Sequence, residues 1–228
     1  VENFIDYNKK TKIGLLDFKV INHSKKINLT LDDETLSYNS DENRFKGKID
    51  FKPFYLSSDF NFNKLHFEKV FDEKSILMDL FNSEILNNEN LNAQLNFHFK
   101  NIKGVNFIKN VFLKTYLEEG NLTIRDSKLN WKNSIIVNLQ DVQLINDSDR
   151  MIVAGALSFD FNKIDNFYKQ FQIKKIYQKK IKKIELDFWL DINENEIEID
   201  NLKIDGDSNK TTDKFLNEFK SKKLNIFN

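Results

Sequence analysis

The sequence has no cysteine, one proline and six glycines. Without cysteine there is no disulfide and no thiolate metal centre, and the chain suits reducing and oxidising compartments alike. So few glycines leave little room for phosphate-cradling loops, and no Gly-x-Ser-x-Gly, Walker-type or Gly-x-Gly-x-x-Gly pattern occurs. Asn and Asp must therefore make most of the turns. No charge excess exists either: 35 Lys+Arg balance 35 Asp+Glu, so there is no global basic field of the kind that recruits nucleic acid. Apolar runs stay far below the ~20 residues of a transmembrane helix, so any anchor is expected outside these 228 residues. The first residue is Val and not Met, with no positively charged leader or long apolar run after it, which reads as a fragment or a processed product.

What the chain has instead is phenylalanine, 22 of them, and they fall in alternating patterns. From Phe45 to Phe67 the apolar positions are Phe45, Ile49 and Phe51, then Phe54, Leu56, Phe60 and Phe62. A period of two is that of a strand with one apolar face, and two such strands meet at Lys52-Pro53. Leu91, Ala93, Leu95, Phe97 and Phe99 alternate with Asn92, Gln94, Asn96 and His98 in the cleanest case. Further strands are expected at 12–21, 26–31, 111–117, 120–124, 128–131, 134–145 and 151–161, with Gly155 at a bulge where Ile152, Ala154 and Ala156 give way to Leu157, Phe159 and Phe161. A hairpin follows, Ile184 to Ile192 and back through Ile197 to Ile204. For 106–117 a helix competes with the strand. Helical spacing predicts two inserts, one near 72–88 and one over 163–183 in which Gln172 is the candidate break. The domain is then 12–206, with a lead-in at 1–11 and a polar tail at 207–228.

Chemistry-bearing clusters are scarce. His23, His66 and His98 stand at no metal-ligand spacing. Asp191-x-Asn193-x-Asn195 opens like a calcium loop, but Glu196 sits where that loop needs Gly and Leu202 where it needs a bidentate Glu, which leaves a hairpin turn. No catalytic group, metal or cofactor is expected. From Lys169 to Lys183 there are seven lysines and no acid. A basic aromatic helix of this kind suits an anionic membrane surface, with Lys174, Lys175, Lys179 and Lys180 as candidate headgroup contacts. The competing reading is a helix that packs its aromatic stripe on the sheet and leaves the lysines in water. With no arginine in the run, nucleic acid is not expected as a partner.

Gly47-Lys-Ile-Asp-Phe-Lys-Pro-Phe54, followed by alternating Leu56, Phe60, Phe62, Leu65 and Phe67, resembles the strand pair of AsmA-like proteins. Glu119-Gly-Asn-Leu-Thr-Ile124, Leu129-Asn-Trp131 and the segment Phe167 to Ile184 resemble that family's carboxyl-terminal region. The resemblance spans most of Lys12 to Gly206, without the family's amino-terminal anchor region. It implies a bacterial envelope protein, periplasmic, held in the inner membrane by a helix outside this chain, whose β groove supports phospholipid movement towards the outer membrane.

The residues themselves agree with a groove. A strand of eight or nine residues spans ~25 to 30 Å, room for an acyl chain. Each buried methylene is worth ~0.8 kcal/mol, so about sixteen carbons would lose on the order of 12 kcal/mol in water. The expected fold is a long, twisted, mostly antiparallel sheet forming an open groove, with Phe51, Phe60, Phe62, Leu95, Phe97, Phe159 and Phe188 facing phospholipid acyl chains and lysines at the rim holding headgroups. The alternative is a structural or assembly domain whose same face is a closed core with no lipid cargo.

Overall fold

Where apolar residues alternate, the chain is extended, and a computed structural model resolves this into twelve strands of a single sheet. The structure describes residues 12–20, 23–40, 44–65, 88–147, 150–194 and 196–208. The strands are β1 (Lys12–Val20), β2 (His23–Leu31), β3 (Thr35–Ser40), β4 (Phe45–Phe51), β5 (Phe54–Leu65), β6 (Asn92–Ile102), β7 (Val105–Glu118), β8 (Asn121–Trp131), β9 (Ile135–Asp147), β10 (Arg150–Phe161), β11 (Lys183–Asp191) and β12 (Glu196–Ile204). They lie side by side in chain order, and β1 does not pair with β12, so the sheet is open. All joints are antiparallel except β5 with β6, which is parallel. A parallel joint needs a long crossover, which residues 66–91 provide.

Acids and amides make the turns, as the scarcity of glycine requires. Between β2 and β3 the Asp32 carboxylate accepts the N–H of Glu34 at 3.1 Å, the N–H of Thr35 at 2.7 Å and the Thr35 hydroxyl at 2.8 Å. Those bonds, the Thr35 hydroxyl foremost, hold its pKa below 3.8. Between β11 and β12 the buried Asp191 accepts the N–H groups of Asn193 and Glu194 at 3.0 Å each. This is the turn expected at the calcium-like pattern.

The elements differ from expectation in four places. Strand β7 is one strand over its whole length, starting at Val105; pairing with β6 and β8 on both edges overrides the helical alternative. The two short strands expected at 120–124 and 128–131 are one, β8, with a bulge at Asp126 (φ 48°). In β10 the faces do not change phase at Gly155. The extra residue is Asp141 (φ 48°) in β9, so Val153, Leu157, Phe159 and Phe161 share a face while Ile152, Ala154 and Ala156 lie on the other. Gly155 answers that bulge: a Cβ there would meet Val142 Cα at 2.6 Å.

The fourth difference is the expected helix over 163–183, which shrinks to α1 (Ile164–Gln170), then a 3₁₀ turn at Lys175–Tyr177 and extended chain. Gln172 is left-handed (φ 52°) and stops the helix. Beyond it, Lys175, Lys179 and Lys183 would stack like charges at i, i+4, which disfavours helix further. Most of the expected insert at 72–88 lies outside the described residues. Among the described residues α1 is the one α-helix, and no helix is long and apolar enough to cross a membrane.

Candidate functional site

Cross-strand partners share a face, so the register reads out what each face carries. One row runs Leu31, Leu36, Ile49, Leu56, Ala93, Leu117, Leu122, Leu144, Val153, Leu190, Ile197. Every member from β2 to β12 is apolar. At ~4.8 Å per strand spacing the row is about 48 Å long.

Parallel rows widen this floor. Phe45, Phe60, Phe97 and Leu113 are successive partners, as are Phe62, Phe99 and Val111. On the far side of the bulges, Leu129, Val137, Phe159 and Ile184 do the same. Asp126 and Asp141 fall opposite one another's strands, so the two extra residues cancel and both halves keep their apolar side chains on one face. Ser127, buried inside that bulge, satisfies its backbone: the hydroxyl accepts the Lys114 N–H at 2.7 Å and donates to the Arg125 carbonyl at 3.0 Å.

All seven residues expected on the groove face, Phe51, Phe60, Phe62, Leu95, Phe97, Phe159 and Phe188, fall on this one face. Four of the phenylalanines at the parallel joint form a grid. Ring centroids are 5.0 Å apart for Phe60–Phe97 and 5.4 Å for Phe62–Phe99 across the strands, and 6.3 and 6.2 Å for Phe60–Phe62 and Phe97–Phe99 along them, with planes within 12°. Phe99 is 7% exposed, whereas Phe62, Phe51 and Phe54 are about 40% exposed (40%, 41% and 41%). Apolar area this open to water is unfavourable by ~25 cal/mol per Å².

No second sheet packs on the floor among the described residues. Strand contacts among the described residues are between neighbours in the sheet. At one rim α1 covers the end of the floor, where Phe167 lies against Trp131 and Phe161 at 5.8 and 5.5 Å, and Phe171 stacks on Trp131 at 5.8 Å. Ser134, fully buried, holds the start of that helix by accepting the Asn166 side-chain amide at 2.7 Å.

The opposite face carries ion pairs and amides among its apolar residues. Arg125 meets Glu118 at 3.4 Å, Lys114 meets Asp126 at 3.7 Å, Lys46 meets Asp59 at 3.8 Å, and Asn96 donates to Asp59 at 2.8 Å. His98 is exposed there against Phe112, as a strand-face residue would be; His66 lies outside the described residues, as do the side-chain surroundings of His23. No three His, Cys, Asp or Glu groups gather into a metal site among the described residues.

A concavity of about 1060 Å³ is lined mostly from the opposite face, by Asn61, His98, Lys100, Phe112, Asp126 and Lys128, together with Phe62, Phe99 and Lys64. The candidate headgroup contacts Lys174, Lys175, Lys179 and Lys180 are exposed and remote in sequence from the Phe grid. Among the concavity's lysines Lys64, two residues after Phe62, shares the floor face, whereas Lys100 follows Phe99 directly and points the other way.

No protein-family model, curated protein or solved structure matches this chain. The AsmA-like resemblance therefore rests on the segments quoted for it.

Proposed function

We propose that the apolar floor is a groove that holds phospholipid acyl chains. The observation that carries this reading is the row from Leu31 to Ile197, apolar at every strand and part-exposed at most of them. A closed core would bury such residues under a second layer. A surface built to meet water would interrupt the row with polar side chains, as the other face does.

Hydrocarbon contacts carry no direction, so the groove is non-selective for acyl chains and needs no catalytic residue. Its length of about 48 Å runs across the strands, and an acyl chain lies along that axis while Lys64, two residues beyond Phe62 on the same face, meets the phosphate end. In keeping with the AsmA-like resemblance, the chain is the periplasmic part of an inner-membrane-anchored protein that supports phospholipid transport or outer-membrane assembly.

The test is binding of a fluorescent phospholipid by the purified chain, compared with Phe60→Asp and Phe97→Asp. Both positions are part-exposed, so a carboxylate stays hydrated there and the sheet persists by circular dichroism while lipid binding is lost. Undiminished binding in both folded variants would overturn the proposal.

A further inference from the structure

Between α1 and β11 the chain makes a tip that the groove does not explain. Ile176 is 80% exposed and Tyr177 67% exposed, the most exposed large apolar residues described. They sit on the 3₁₀ turn Lys175–Tyr177 and are flanked by Lys174, Lys175, Lys179 and Lys180, all exposed. None of these four lysines makes an ion pair among the described residues. Two adjacent large apolar side chains inside a run of exposed cations make a small patch that is apolar at its centre and basic around it.

The tip is braced and not a slack loop. The buried Tyr168 of α1 accepts the Lys179 N–H at 3.1 Å and donates its hydroxyl to the Lys179 carbonyl. Gln178 donates to the Ile173 carbonyl at 2.7 Å, and Ile173 N–H to the Tyr168 carbonyl at 2.9 Å. At the base, Asp205 accepts the N–H groups of Lys182 and Lys183 at 2.8 Å each. Binding therefore costs little ordering.

We propose that this tip docks the rim of the groove onto an anionic lipid bilayer, Ile176 and Tyr177 entering the headgroup boundary and the four lysines meeting the lipid charge. Apolar and cationic groups together fit that partner. An acidic protein surface would use the lysines but leave Ile176 in water, and a neutral apolar partner would leave the lysines unpaired. The inference rests on the groove reading for its purpose, since docking the rim brings Trp131, Phe161 and the floor beyond them to the membrane, but its chemistry is separate.

The experiment is sedimentation of the 228-residue chain with phosphatidylcholine vesicles containing 30% phosphatidylserine and with phosphatidylcholine alone (chosen compositions of roughly physiological surface charge). The chain has no cysteine, so Ile176→Cys and Asp207→Cys each take one environment-sensitive dye. Expected are binding to the anionic vesicles that falls with salt, a blue shift at position 176 and none at 207, and a loss of roughly five-fold per lysine changed to Gln. Ile176→Ser with Tyr177→Ser must also weaken binding while lipid loading of the groove is kept. Phe60→Asp removes loading and leaves vesicle binding, so the two claims fail separately. Equal binding to both vesicle types, binding to neither, or equal dye shifts overturns the proposal.

Discussion

Truncating the Phe grid at the β5–β6 joint separates a floor open to solvent from a sealed core. A fully buried Phe→Ala change costs about 3 to 5 kcal/mol because transfer energy is lost and a cavity remains. Phe99 is 7% exposed, so Phe99→Ala should cost about 3 to 4 kcal/mol. Phe62, its partner at 5.4 Å, is 40% exposed; its truncation gives up only part of the transfer energy and leaves no closed cavity, so about 1 to 2 kcal/mol is expected. The stacked pair adds a coupling of ~0.5 to 1.5 kcal/mol, read from the double variant. Urea denaturation followed by far-ultraviolet circular dichroism gives each value by linear extrapolation. Equal costs for the two positions, or no coupling, would refute the account, since Phe62 would then be sealed like Phe99 or the grid would not exist.

Three further outcomes follow from local geometry. Gly155→Ala should destabilise by about 1 to 3 kcal/mol, because its Cβ meets backbone of the β9 bulge at 2.6 Å; an unchanged urea midpoint contradicts the bulge at Asp141. Asp191→Ala removes the acceptor for two turn N–H groups at a site 1% exposed and should cost about 2 to 3 kcal/mol, whereas Asp191→Asn keeps an acceptor and should cost less by the same denaturation assay. Asp32 is the pH-sensitive turn: its folded pKa is depressed below 3.8, so its contribution is full above the unfolded value and is lost as pH falls through the folded one. Its carboxyl resonance followed by NMR should titrate below the ordinary aspartate value, and Thr35→Val should move it back up.

The floor was legible because strand alternation is a local signal. Phe60, Phe62, Leu95 and Phe97 declare their face within a few residues of sequence, and the seven expected residues share one face, spread from β4 to β11. What could not be read was anything set by a neighbouring strand. Asn110, Asp126, Asp141 and Asn201 all have positive φ at register shifts, and in a sequence this rich in Asn and Asp such residues look like every other polar position. The assignment of Ile152, Ala154 and Ala156 failed for that reason: the extra residue was on β9, not β10. The basic segment was read as helix from its aromatic spacing, but lysines three and four apart repel, and only α1, ahead of the lysine run proper, remains helical.

The most direct test of the groove is native mass spectrometry of the gently purified chain, with lipid extracted from the same sample. The account predicts bound phospholipid in the wild type, mixed in acyl composition, and its loss in folded Phe60→Asp/Phe97→Asp. A wild-type chain that carries no lipid and takes none up from detergent-free vesicles would contradict it.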